Sequence, residues 1–154
     1  MECFFVDTSA LVKKYVAEVG SPWMQSVSCP TTRSHICIAR ITIVELIAGV
    51  SRRSRGGTLT QGDAQVAISN FRRHIPSHYK ILEISETLLG DAADLAQKHG
   101  LKGYDAVQLS AMMQLNSLVS LGLYSKLTLI SADTELNAAA TAEGLMVDNP
   151  NLHP

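Results

Sequence analysis

Short apolar runs alternate along this chain with longer stretches whose apolar residues recur at helical spacing. Cys3-Phe4-Phe5-Val6, Ile36-Cys37-Ile38-Ala39, Tyr79-Lys80-Ile81-Leu82-Glu83-Ile84, Leu127-Thr128-Leu129-Ile130 and Leu145-Met146-Val147 predict strands. Between them the spacing predicts helices over residues 10–18, from 21 onward with Pro22 at the first helical position, and over 42–54, 60–74, 85–99, 103–121 and 133–143. Thr60 is an N-cap residue with Asp63 three positions on, and Gly100 and Gly144 are helix stops. Residues 31–35 read as a polar loop. Strands that are apolar throughout and separated by helices predict an α/β protein with a central parallel sheet covered on both faces.

Composition narrows the class. With 154 residues, 46% of them hydrophobic and 18% charged, the chain suits one compact domain over 1–154 rather than a disordered segment. The formal net charge of -1 neither requires nor excludes a nucleic-acid partner. Cys3, Cys29 and Cys37 form no Cys-x-x-Cys or Cys/His ligand pattern, which argues against a disulfide framework and for a reducing, cytoplasmic setting. No signal peptide is read at the N-terminus and no run is long enough to span a bilayer, so no membrane association is expected.

The candidate chemistry lies in four separated acids: Asp7, Glu45, Asp105 and Asp133. Asp7 and Asp133 follow strands, and Glu45 and Asp105 fall in expected first turns of helices. In a parallel sheet all four positions belong to the C-terminal edge of the strands, where open α/β sheets build their sites. Carboxylates gathered there repel one another, and a hard cation such as Mg²⁺ or Mn²⁺ relieves that repulsion. Each acid also has a local role open to it. Asp7 and Asp133 suit N-caps, Glu45 completes a Thr-x-x-Glu capping box with Thr42, and Asp105 complements a helix dipole. Thr8, Ser9 and Ser131 place hydroxyls beside the acids, for turn chemistry or for orienting ligands.

The segments Val6-Asp7-Thr8-Ser9-Ala10-Leu11-Val12-Lys13, Thr42-Ile43-Val44-Glu45, Gly103-Tyr104-Asp105-Ala106-Val107-Gln108-Leu109 and Ser131-Ala132-Asp133, with Leu136-Asn137-Ala138-Ala139 behind the last, occur in an order that resembles the PIN-domain family. Within it they resemble the VapC-like ribonuclease toxins of type II toxin–antitoxin systems. The resemblance covers nearly the whole chain. It implies a three-layer α/β/α fold and cleavage of RNA with Mg²⁺ or Mn²⁺ held by Asp7, Glu45, Asp105 and Asp133. It also implies a homodimer and a small cognate antitoxin. The reaction expected is phosphodiester hydrolysis by a metal-activated water. Glu135, two residues beyond Asp133, matches a further acid of some relatives, but it is equally a solvated first-turn residue.

Lys13, Arg52, Arg53 and Arg55 are candidate phosphate contacts, as are Lys14, Arg72 and Arg73, with solvated surface charge as the alternative. Aromatics are only 5% of the chain, and Tyr104 is expected to pack beneath the acids. The stripe Val66, Ala67, Ile68 and Phe71 suits either core or a dimer interface. His35, His74, His78, His99 and His153 share no catalytic pattern. Two other Asp-after-strand families fit poorly. A haloacid-dehalogenase phosphatase needs an Asp where Ser9 stands, and a receiver domain needs an acid pair and a late Lys that are missing. An RNA-processing nuclease that is not a toxin, or a non-catalytic PIN-fold binding module, remains the alternative function.

Overall fold

A computed structural model of the chain describes residues 2–29 and 34–153. Of the loop expected at 31–35, residues 31–33 lie outside the described residues. Five strands, β1 (Glu2–Val6), β2 (His35–Ala39), β3 (Lys80–Leu82), β4 (Lys126–Ile130) and β5 (Met146–Asp148), form one sheet in the order β3-β2-β1-β4-β5. Every neighbouring pair is parallel. Because side chains alternate along a strand, each central strand feeds both faces. Cys3 and Phe5 of β1, Cys37 and Ala39 of β2, and Leu127 and Leu129 of β4 point to one side. Val6, Ile36, Ile38 and Ile130 point to the other. Burial on both faces is why these strands read as continuous apolar runs.

Helices α5 (Glu86–His99), α6 (Gly103–Ser120) and α7 (Thr134–Ala142) cover the first face through Leu88, Leu95, Leu109, Met112 and Leu136. Helices α1 (Thr8–Leu11), α2 (Ser21–Val27), α3 (Arg40–Arg55) and α4 (Gln61–His78) cover the second through Leu11, Met24, Leu46, Val50 and Phe71. The central position of α6 shows in its unbroken buried run from Ala106 to Met112. The expected three-layer α/β/α architecture is the observed one. Phe71 and Ala67 of the α4 stripe belong to the core, and Val66 is exposed. No helix among the described residues is long and apolar enough to cross a membrane.

Three helices depart from expectation. The first ends at Leu11 and passes into a 3-10 turn, Val12–Lys14, instead of running to 18. There the Lys13 ammonium donates to Glu18 (3.1 Å) and to the Val19 carbonyl (3.0 Å), which closes a loop where a helix would have continued. Helix α3 starts at Arg40, two residues early, with Ala39 as an N-cap that offers no side-chain bond. Thr42 is therefore inside the helix, no Thr42–Glu45 capping box forms, and Glu45 lies in the second turn rather than the first. Helix α4 runs four residues past His74 and through Pro76. Proline removes one helical N–H there, but Ile75 and Tyr79 are anchored in the core on either side. Arg72 and Arg73 thus sit inside a helix, not at its end. The other caps agree with the sequence. Thr60 accepts from the Asp63 N–H (3.1 Å), Ser85 from the Leu88 N–H (3.1 Å), and Gly100 closes α5 at φ 66°.

Candidate active site

The strand order reverses between β1 and β4, so the loops leaving these adjacent strands diverge and open a crevice at their C-terminal ends. Asp7 follows β1 and N-caps α1, and Asp133 follows β4 and N-caps α7. Hydroxyl and backbone bonds lock the two loops together. The Asp7 N–H donates to the Ile130 carbonyl (3.0 Å), the Ala132 N–H donates to Ser9 Oγ (2.9 Å), and the Ser9 and Ser131 hydroxyls lie 3.3 Å apart.

Asp7 is only 4% exposed. Its Oδ2 receives the Ser9 hydroxyl (2.6 Å), the Ser9 N–H (3.1 Å) and the Ser131 hydroxyl (3.2 Å). Burial pushes its pKa up, and the hydrogen bonds from Ser9, the Thr8 backbone and Ser131 pull against that. All of these partners are neutral. Asp7 is therefore a buried carboxylate oriented by hydroxyls and amides, with no cationic partner among them. On Asp133, Oδ1 accepts the Leu136 N–H (2.9 Å) while its own N–H donates to Ser131 Oγ (3.0 Å).

Glu45 is carried to the same edge by α3. Its Oε2 accepts from the Thr8 hydroxyl (2.8 Å) and from Gln108 Nε2 (2.7 Å). Burial raises its pKa, those two bonds oppose the rise, and the Asp7 charge adds to it. Asp105, in the first turn of α6, is raised to about 6, first by burial and then by Asp133 and Asp7. Lys102 lowers it and Glu45 raises it further. The loops after β1 and β4 and the helices α3 and α6 carry the four acids toward the same edge of the sheet, and Asp105 feels the charge of the other three. The acids stand apart from one another: among the described residues no three His, Cys, Asp or Glu side chains close on a common metal-ligating point.

Thr8, Ser9 and Ser131 each bond an acid. Glu135 is exposed in the first turn of α7. One contributor that the sequence reading passed over is Gln108, which is fully buried (0% exposed) and supplies the amide that holds Glu45. Its Nε2 also reaches Thr42 Oγ1 (2.9 Å), which explains the inward position of Thr42. The signal was an amide set in the apolar run from Ala106 to Met112.

Beside the acids lies a groove of about 450 Å³, lined by Thr8, Ser9 and Glu45 together with Ile41, Val44, Arg52 and Tyr104. Tyr104 is 61% exposed on this groove, contrary to the expectation that it packs beneath the site. It occupies the second position of α6, one residue before the chain turns inward at Asp105. Lys13 is also a correction. It is 6% exposed and bound to Glu18, so its ammonium does not face a substrate. Arg53 pairs with the same Glu18 at 3.0 Å, whereas Arg52 and Arg55 are exposed. Lys14 is turned away to the Ser28 carbonyl (3.3 Å).

A doubly wound α/β protein with a carboxylate cluster at its switch point is the class that this fold and geometry define. Residues 4–142 match the PIN domain model, and the chain belongs to that family. Its fold is similar to FitAcB from Neisseria gonorrhoeae (TM-score 0.62, 19% identity, over 96% of this chain and 97% of that one). It is also similar to VapBC2 from Rickettsia felis, solved on a DNA fragment from their promoter (TM-score 0.62, 17% identity, 96% and 98%). A third similar structure is the sarcin-ricin loop cleaving toxin VapC20 from Mycobacterium tuberculosis (TM-score 0.65, 14% identity, 88% and 94%). No curated protein matches the chain.

Proposed function

We propose that this protein is a Mg²⁺- or Mn²⁺-dependent endoribonuclease and the toxin of a type II toxin–antitoxin pair, acting in the cytoplasm as a homodimer under control of a small cognate antitoxin. The observation that carries the reading is the placement of Asp7 and Asp133 after two adjacent parallel strands, with Glu45 bonded to Thr8 beside Asp7 and Asp105 in the first turn of α6. Membership of the PIN family and the toxin–antitoxin structures among its structural relatives support the same reading.

The residues fit a hard divalent cation. All four acids are oxygen donors, and Asp7 is buried without a positive partner among its hydrogen bonds. Asp7, Asp105 and Asp133 would hold the ion directly or through water, and Glu45 would hold a second ion or orient the attacking water. Such an ion neutralises developing charge on the phosphate and makes water a competent nucleophile near neutral pH. The open spacing of the acids is compatible with Mg²⁺, which keeps several waters and takes few carboxylates directly. The chain's own contribution is orientation. Ser9 and Ser131 fix Asp7, and Thr8 and Gln108 fix Glu45. Water adds to phosphorus, the bond from phosphorus to the 3′ oxygen breaks, and the products carry a 5′-phosphate and a 3′-hydroxyl.

The test is cleavage of total cellular RNA by antitoxin-free protein with Mg²⁺ or Mn²⁺ and with EDTA, beside Asp7→Asn and Asp105→Asn. Cleavage that needs metal and falls by at least about a hundredfold in both variants is the expected outcome. A 2′,3′-cyclic phosphate on the products, or activity unchanged in the variants, overturns this mechanism. A folded protein that neither binds Mn²⁺ nor cuts RNA is a non-catalytic module.

A further inference from the structure

The groove beside the acids presents a ring that the hydrolytic chemistry does not require. Tyr104 is 61% exposed and Val44 of α3, which lines the same groove, is 67% exposed, although the α6 residues that follow from Ala106 to Met112 are buried. An aromatic side chain forgoes a large hydrophobic stabilisation by standing in water. Here it does so on a groove that Thr8, Ser9 and Glu45 also line. Tyr15, Phe71 and Tyr79 instead pack against one another inside the molecule. Arg52 lies farther along the same groove. It is seven residues beyond Glu45 on α3, hence on the same face of the helix and ~10 Å along its axis. Arg53 is held by Glu18, while Arg52 is exposed.

Resting on the nuclease reading above, we infer that Tyr104 is a substrate-specificity residue: its ring stacks on the base of the nucleotide flanking the scissile phosphate, and Arg52 takes a phosphate farther along a single strand. A carboxylate, a ring and a guanidinium line this one groove: Glu45, Tyr104 and Arg52, with Tyr104 one residue before Asp105. They match the two repeating parts of a nucleotide chain, the ring its bases and the guanidinium its phosphates, for a strand that lies in this groove beside the acids. One ring gives one stacking position. Recognition through it tolerates any base, because every base has a π face, and it requires that the base be unpaired. The phenol hydroxyl is not needed for stacking.

The test separates binding from cleavage. In an Asp7→Asn background, the affinity for a fluorescein-labelled single-stranded RNA of mixed sequence is compared with Tyr104→Ala, Tyr104→Phe and Tyr104→Trp added. Stacking predicts roughly tenfold weaker binding for Tyr104→Ala, with Phe and Trp retaining affinity. In the otherwise unaltered protein the loss falls on KM more than on kcat. Equal binding by Tyr104→Ala overturns the inference, as does a Tyr104→Phe variant that loses as much as alanine. If Tyr104→Ala leaves RNA binding intact but weakens capture of the cognate antitoxin, the ring is a protein-docking residue and the inference is likewise overturned. Metal-dependent cleavage with Tyr104-independent binding removes this inference and leaves the nuclease reading standing. RNA binding that depends on Tyr104 in a protein that never cuts does the reverse.

Discussion

Gln108 donates through one amide nitrogen to Glu45, Thr42 and Thr8, while its Oε1, buried, finds no partner among the described residues. It is thus an orienting group rather than a balanced element of the core. Replacing it by Met keeps the volume and removes the unpaired acceptor, so stability changes little. Glu45 loses one of the two bonds that restrain its raised pKa. Gln108→Met is expected to melt within a few degrees of the parent but to cleave RNA about tenfold more slowly or worse. The acidic limb of its pH–rate profile moves to higher pH, because a carboxylate with fewer donors protonates more readily. An unmoved profile in a folded variant would assign Gln108 to packing alone. Asp7 and Asp133 stood out because a carboxylate after an apolar strand is conspicuous, and Glu45 and Asp105 because they fall at expected helix starts. Gln108 did not, since an amide inside a helix has no partner until the helix is packed.

At the scale of elements, the strands and most helix caps followed from local chemistry, and the departures are where tertiary contacts compete with it. Gly20 is the sharpest instance. It stands at φ +82°, and a Cβ there would lie 2.3 Å from the Pro150 carbonyl oxygen. The C-terminal 3-10 turn Pro150–Leu152 is thereby seated on the start of α2, and Trp23 stacks on His153 with centroids 4.2 Å apart. Gly20→Ala combines left-handed strain with a backbone clash and is expected to cost about 2 kcal/mol or more in denaturant unfolding. Gly57→Ala, at φ +76° with open space around it, gives the matched control, bearing the strain alone. A similar loss in both would show that the Pro150 contact is immaterial. The short α1 has the same kind of cause: Lys13 found Glu18 and the Val19 carbonyl, partners that helical periodicity does not reveal.

For the whole molecule, the gathered acids make stability depend on pH and on cations. Asp105 is raised from 3.8 to about 6, and Asp7 and Glu45 are raised as well. A folded-state acid above its unfolded value binds more protons in the native state, so its penalty is present above pH 6 and fades as pH falls toward 4. In EDTA the protein is expected to melt at higher temperature near pH 5 than at pH 7. Asp105→Asn should raise the pH 7 value and flatten the rise. Mn²⁺ should stabilise the parent more at pH 7 than at pH 5, since protons and cation relieve the same cost of buried and mutually repelling charge. Thermal melts from pH 5 to 8 with and without Mn²⁺ measure all three effects, and a parent whose melting is indifferent to both would contradict the clustering.

The sequence by itself determined the alternation of strand and helix, the burial of the sheet on both faces, and which acids are candidates for the site, because these rest on periodicity, capping chemistry and composition carried within a few residues. Only the tertiary structure decided that β1 and β4 are neighbours at the reversal of strand order, which brings Asp7 and Asp133 across one crevice. It also decided that Lys13 turns inward while Tyr104 turns outward, and that Gln108 reaches Glu45 across 63 positions of chain. Those outcomes depend on which surfaces are left to pack or to face water once the sheet has closed, and no local window of the sequence contains that information.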